Sequence, residues 1–113
     1  MTPEYLAGFF DGEGTFHLGK QIKKSSGKEY PNCKVCVSQS GDVGKQLLEN
    51  IQKKYGGKLY EHLKAGQHKA TKSAYKLYWR KQEAVLLIHV LLPHLFIKQK
   101  EAQLALDYLT RHK

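Results

Sequence analysis

The chain has 113 residues, with 19 Lys and Arg against 10 Asp and Glu, a net charge of +9 and only two cysteines. That length fits a single domain over residues 1–113 with a modest core, and the charge makes a polyanion the expected partner, nucleic acid ahead of membrane. The longest apolar run, Ala84 to Leu92, contains His89 and stops at Pro93, far short of the ~20 residues that span a bilayer, and Met1-Thr2-Pro3-Glu4 lacks the basic opening of a secretion signal, so a soluble, intracellular protein with no membrane partner is expected.

Thr2 suits an N-cap, Pro3 the first helical position and Glu4 the positive end of the dipole, which predicts a first helix from about Pro3 to Asp11. At ~100° per residue, Glu4, Tyr5, Gly8, Asp11 and Gly12 share one side, while Leu6, Ala7, Phe9 and Phe10 share the other. The apolar side suits the core. Gly8 and Gly12 leave no bulk between the backbone and a neighbour, as close helix approach requires, although this spacing is best attested in membrane helices. Glu13 lies between Gly12 and Gly14, which are expected to break the helix, so its carboxylate should project from the helix end beside that close contact.

Beyond Gly14 the period changes. Phe16, Leu18 and Ile22 alternate with polar residues, and after a loop over Lys23 to Pro31, Cys33, Val35 and Val37 alternate with Asn32, Lys34, Cys36 and Ser38, so the two strands can pair as a long hairpin. Ser40, Gly41 and Asp42 then open a second helix, with Val43, Leu47, Leu48, Ile51 and Tyr55 at helical spacing up to Gly56-Gly57. A second hairpin pairs Leu59–Lys64 with Tyr75–Arg80. The inward face of its first arm stays open, because Leu59 and Leu63 share parity with Glu61 while Tyr60 lies opposite. Gln82 to Leu92 reads as an apolar helix ended by Pro93, and Ile97 to His112 as a last helix carrying Ala102, Leu104, Ala105, Leu106 and Leu109.

The order αββαββαα is of the α/β (α+β) class, with one four-stranded antiparallel sheet backed by helices on its apolar face. Its free face would display His17, Gln21, Lys23, Asn32, Lys34, Ser38, Lys76, Tyr78 and Arg80, groups that read base edges and phosphates. Cys33 and Cys36 form a lone C-x-x-C whose members face opposite ways on a strand. Zinc there would need two ligands from His62, His68 or another histidine, and two small hydrophobes in a strand is the better reading.

Leu6, Ala7, Gly8, Asp11 and Gly14 resemble, letter for letter, the signature of the LAGLIDADG homing endonucleases. Phe9 and Phe10 are apolar, Gly12 small and Glu13 acidic where that signature is, and the order of elements resembles the LAGLIDADG half-domain along nearly the whole chain. The resemblance implies a site-specific DNA endonuclease that cuts both strands, with its sheets in the major groove and cleavage across the minor groove leaving short 3′ overhangs. It implies that the motif helices form the interface of a homodimer, through Glu4, Tyr5, Gly8, Asp11 and Gly12. Glu13 would bind the divalent metal, Mg²⁺ with Mn²⁺ or Ca²⁺ as substitutes, joined by the backbone carbonyl of Gly12. Gln39, polar at a core-facing parity or simply past the strand end, matches the family's active-site glutamine. Lys98, with Lys100 as competitor, matches its lysine.

Independent of the resemblance, Glu13 is the one convincing acid in the chain, and a second copy meeting the Gly8 and Gly12 face would bring two such carboxylates near a two-fold axis. Asp11 reads more readily as a backbone hydrogen-bond acceptor than as a metal ligand. A two-fold protein should prefer a pseudo-palindromic duplex, and each phosphate it neutralises should add about −0.9 to the slope of log affinity against log salt. A non-cleaving binder on the same fold, an RNA-splicing maturase or a DNA-binding regulator, is the alternative.

Overall fold

A computed structural model describes residues 1–18, 20–22, 26–27, 29–31, 33–64, 66 and 71–111. Helix α1 (Pro3–Glu13) starts as its capping residues dictate, with the Tyr5 amide donating to the Thr2 hydroxyl at 3.1 Å. Strands β1 (Thr15–His17), β2 (Lys20–Ile22), β3 (Glu29–Pro31) and β4 (Lys34–Ser40) follow, then α2 (Gly41–Tyr55), β5 (Lys58–Leu63), β6 (Ala74–Arg80), α3 (Lys81–Leu91), a 3-10 turn (Leu92–His94) and α4 (Gln99–Arg111). The antiparallel sheet has the order β1-β4-β6-β5, and β2 and β3 pair separately. Pairings such as Phe16 with Val35 and Gln21 with Tyr30 keep one register, so both pairs belong to a single interrupted hairpin.

Register assigns the paired residues of the main sheet a face, because directly opposed residues point the same way. The inner rows run Phe16–Val35–Trp79 and Val37–Leu77–Leu59, and Val35, Val37, Leu77 and Trp79 are buried there. Helices cover that face with Leu6, Ala7 and Phe10 of α1, Leu48 and Ile51 of α2, and Ala84, Leu87, Ile88 and Leu91 of α3. The Phe10 ring sits 5.7 Å from Trp79 and 6.2 Å from Phe16, which seats α1 across the first hairpin. No helix among the described residues is long and apolar enough to cross a membrane.

Several expectations need correction. Gly12 does not break α1, which runs on to Glu13 and ends where Gly14 turns extended. The segment read as a loop over 23–31 contains β3, and Leu18 is exposed where the two paired stretches of the hairpin part. Val43 is 81% exposed, because α2 approaches β4 so closely that Gly44 takes the inward position. A Cβ on Gly44 would stand 2.8 Å from that of Gln39. Leu104 is 51% exposed, since α4 seats its small Ala102 and Ala105 with Leu106 against the core. Ile97 precedes α4 and does not belong to it. The open face of β5 is resolved by its register. Leu59 and Glu61 oppose inward Leu77 and Tyr75, Lys58 and Tyr60 point outward, and a register shift between Glu61 and Leu63 explains the broken alternation.

The link from α2 to β5 is sterically tight. Trp79 donates its indole N–H to the Tyr55 carbonyl at 3.0 Å, and Gly57, at φ +95°, passes so close that a Cβ would lie 2.8 Å from the indole nitrogen and 3.0 Å from the Tyr78 carbonyl. Gly57→Ala should therefore lower unfolding stability by about 2 kcal/mol or more, read by fluorescence of the single tryptophan in a denaturant titration; an unchanged midpoint would contradict this packing.

Candidate functional site

The chain converges on the C-terminal end of α1. Glu13 is exposed as the last residue of the helix, and the Gly14 amide closes the final turn on the Phe10 carbonyl at 2.8 Å. The last carbonyls of a helix lack intrahelical donors and carry the negative end of its dipole. A carboxylate among them makes an all-oxygen, electronegative donor set suited to a hard divalent cation, with Glu13 and the Gly12 carbonyl as the groups of this chain that would hold it. Among the described residues no group of three or more His, Cys, Asp or Glu could hold a metal unaided. A cation here must complete its shell from water, phosphate or a second chain.

Four hydrogen bonds from the far end of the sequence fix this point. The Asp11 carboxylate accepts the backbone N–H groups of Phe96 at 2.8 Å, Ile97 at 3.0 Å and Lys98 at 2.9 Å. Partial burial raises the Asp11 pKa, but the three amides and the Lys98 charge outweigh it and hold the carboxyl below its usual value. The Lys98 ammonium then donates to the Gly14 carbonyl, one residue beyond Glu13. Lys100, its competitor, is exposed on α4. Asp11 is accordingly the backbone acceptor expected from its rival reading, and its carboxylate is directed within its own chain.

The glycine side of α1 is bare. A methyl built on Gly8 or Gly12 meets nothing within 4 Å, and Tyr5 beside them is 57% exposed. Glu4 is exposed on the same helix, 3.9 Å from His94, with its carboxyl held below the usual range by its own backbone N–H and by that histidine. Gln39 lies half-buried near the end of β4 against Gly44, opposite Tyr75, at the polar margin of the inner face.

On the outer face the rows are His17–Lys34–Arg80, Thr15–Cys36–Tyr78–Lys58 and Ser38–Lys76–Tyr60. The sheet thus gathers His17, Lys34, Ser38, Lys76, Tyr78 and Arg80 on one surface. Gln21 lies in β2, and Lys23 and Asn32 fall outside the described residues. Lys58 and Tyr60 join this surface opposite Tyr78 and Lys76; Lys58 lies one residue before the strand expected from Leu59, and the face of Tyr60 was open until the register set it. Cys33 and Cys36 point to opposite faces, both buried, and burial with the neighbouring Cys36 pushes the Cys33 thiol up to about 11. A zinc staple gains nothing from that arrangement.

The sequence model of the LAGLIDADG endonuclease family matches residues 6–106. The chain belongs to that family. No curated protein matches it by sequence. Among solved structures, this LAGLIDADG chain is similar to the homing endonuclease I-CvuI in complex with the I-CreI target in the presence of Mg, at 22% identity and a TM-score of 0.79, over 96% of this chain and 65% of that one. An archaeal intron-encoded homing endonuclease, I-Vdi141I, complexed with DNA, gives 22% identity and 0.74 over 96% and 66%. The LAGLIDADG meganuclease I-CpaMI bound to uncleaved DNA gives 22% and 0.79 over 97% and 36%. The chain thus spans under two thirds of I-CvuI and about a third of I-CpaMI. These likenesses establish the fold, that of a LAGLIDADG half-domain.

The Asp11 tie generates a pH signature. Asp11→Asn should cost about 1 kcal/mol, because the amide replaces an ionised acceptor of three N–H groups. The Asp11 pKa is lowered on folding, so its contribution is complete above the unfolded value near 3.8 and is lost as pH falls through the lower folded value. The stability gap between wild type and Asp11→Asn should stay constant at neutral pH and close in acid; a gap that widens in acid would contradict this.

Proposed function

We propose that this LAGLIDADG chain is a site-specific double-strand DNA endonuclease of the homing type, working as a homodimer with Mg²⁺ on a pseudo-palindromic site. The observation that carries the proposal is the placement of Glu13 at an exposed helix end, with the Lys98 ammonium fixed one residue away and the bare Gly8 and Gly12 face on the same helix. One chain then offers half a catalytic centre and half an interface. The DNA complexes of I-CvuI and I-Vdi141I support the nucleic-acid partner, and the Mg and Ca present with I-CvuI support a divalent cation.

Each group has a separate task. Glu13 and the Gly12 carbonyl supply hard oxygen ligands, and a divalent cation there provides charge neutralisation for displacement at phosphorus. Lys98 presents its positive charge toward a phosphate oxygen or the attacking water, and its contact with Gly14 sets where that charge stands. Gln39 orients solvent from the margin of the sheet. The cationic outer face binds phosphates and base edges along the duplex.

Incubated with a library of duplex sites, the protein should produce double-strand cuts that require Mg²⁺ and fall by ~10²-fold or more in Glu13→Gln, while DNA binding persists. Cleavage unaffected by that change refutes the assignment, and binding without cleavage under any divalent metal favours a non-cleaving binder. The interface is tested separately by Gly8→Leu. Its side chain meets open space within one chain, and leucine is the better helix former by ~1 kcal/mol, so the fold should be retained or strengthened while cleavage is lost. Full cleavage by this variant would exclude the glycine face as the meeting surface.

A further inference from the structure

Within the cationic outer face lies a small uncharged island. Tyr60 and Tyr78 pack edge to face with ring centroids 5.7 Å apart, and the Lys34 ammonium lies 5.3 Å over the Tyr78 ring. Cys36, opposite Tyr78 in the register, is 7% exposed and floors the island. Burial raises its pKa against the pull of Lys76 and Lys34, so it stays a neutral thiol. Tyr60 is 44% exposed and stands above its half-buried neighbours. The row beside Cys36 and Tyr78 carries Lys34 and Arg80, Lys58 ends the row of Tyr78, Tyr60 shares the next row with Ser38 and Lys76, and none of these outer rows contains an acid.

The major groove limits what such a surface can read. Lysine and arginine suit the acceptors of guanine, cytosine's amino group calls for a carboxylate, and the one apolar group on any base edge is the thymine 5-methyl. Flanking cations hold the phosphates and adjacent guanines, and the rings are locked by each other and by Lys34, so little side-chain entropy is lost on contact. Resting on the DNA-binding reading above, we infer that the Tyr60–Tyr78–Cys36 island determines specificity by packing on the methyl group of one thymine in each half-site, with Tyr60 making the contact.

The test uses duplexes selected from a random pool by binding to the wild-type protein. They should share a thymine in each half-site, and replacing it by deoxyuridine, which removes only the methyl, should weaken binding roughly fourfold, the value of one buried methyl group. Tyr60→Ala should bind the thymine and uracil duplexes equally, whereas Tyr60→Phe, which keeps the ring, should still distinguish them. Indifference of the wild type to uracil at every thymine overturns the inference while leaving DNA binding intact. Equal discrimination by Tyr60→Ala removes Tyr60 from the contact, and loss of discrimination in Tyr60→Phe assigns the reading to the hydroxyl; either result overturns it. Failure to select any duplex would instead refute the DNA-binding reading itself, and this inference with it.

Discussion

The arrangement depends on one carboxylate. Asp11 gathers three consecutive backbone N–H groups from residues 96–98 and so ties the end of α1 to the start of α4. Without that tie the approach to α4 would carry unpaired amides, and Lys98 would have no fixed relation to Glu13. With it, the lysine reaches the Gly14 carbonyl, and the carboxylate and the ammonium share one helix end. The motif therefore does more than supply an acid. Two residues before Glu13 it supplies the anchor that brings in the basic group from the far end of the chain.

The sheet applies the same economy to charge. Alternation in β4 and β6 sends Val35, Val37, Leu77 and Trp79 to the helices and Lys34, Lys76 and Arg80 outward, so the apolar and cationic side chains of these strands are sorted to opposite faces. Such a surface repels itself in isolation, and neutralising phosphates with it releases their condensed counterions. Tyr60, Tyr78 and Cys36 relieve the crowding at its centre, and the same uncharged spot offers contact of a kind that cations do not.

Much of this was legible in the sequence wherever period and side-chain chemistry agreed. Thr2 and Pro3 marked the start of α1, the alternation of Val35, Val37, Leu77 and Trp79 marked the inner face, and Asp11 read as a backbone acceptor. Failures came where a tertiary contact overrode the local pattern. Val43 fitted the helical period, yet the close approach of Gly44 to Gln39 turned it outward. The face of β5 was unreadable because a register shift reverses its parity partway. Nothing local could link Asp11 to residues more than eighty positions away, so the contacts of residues 96–98 with the motif were not legible. Gly12 looked like a breaker, but helix continuity through it carries Glu13 to the last position of α1.

The proposed function requires two copies meeting at the bare glycine face of α1. The most direct measurement is the mass of the protein–duplex complex in solution, by light scattering or sedimentation on a selected site. Two chains per duplex are predicted. One chain per duplex, in a complex that still cleaves both strands, would contradict the account.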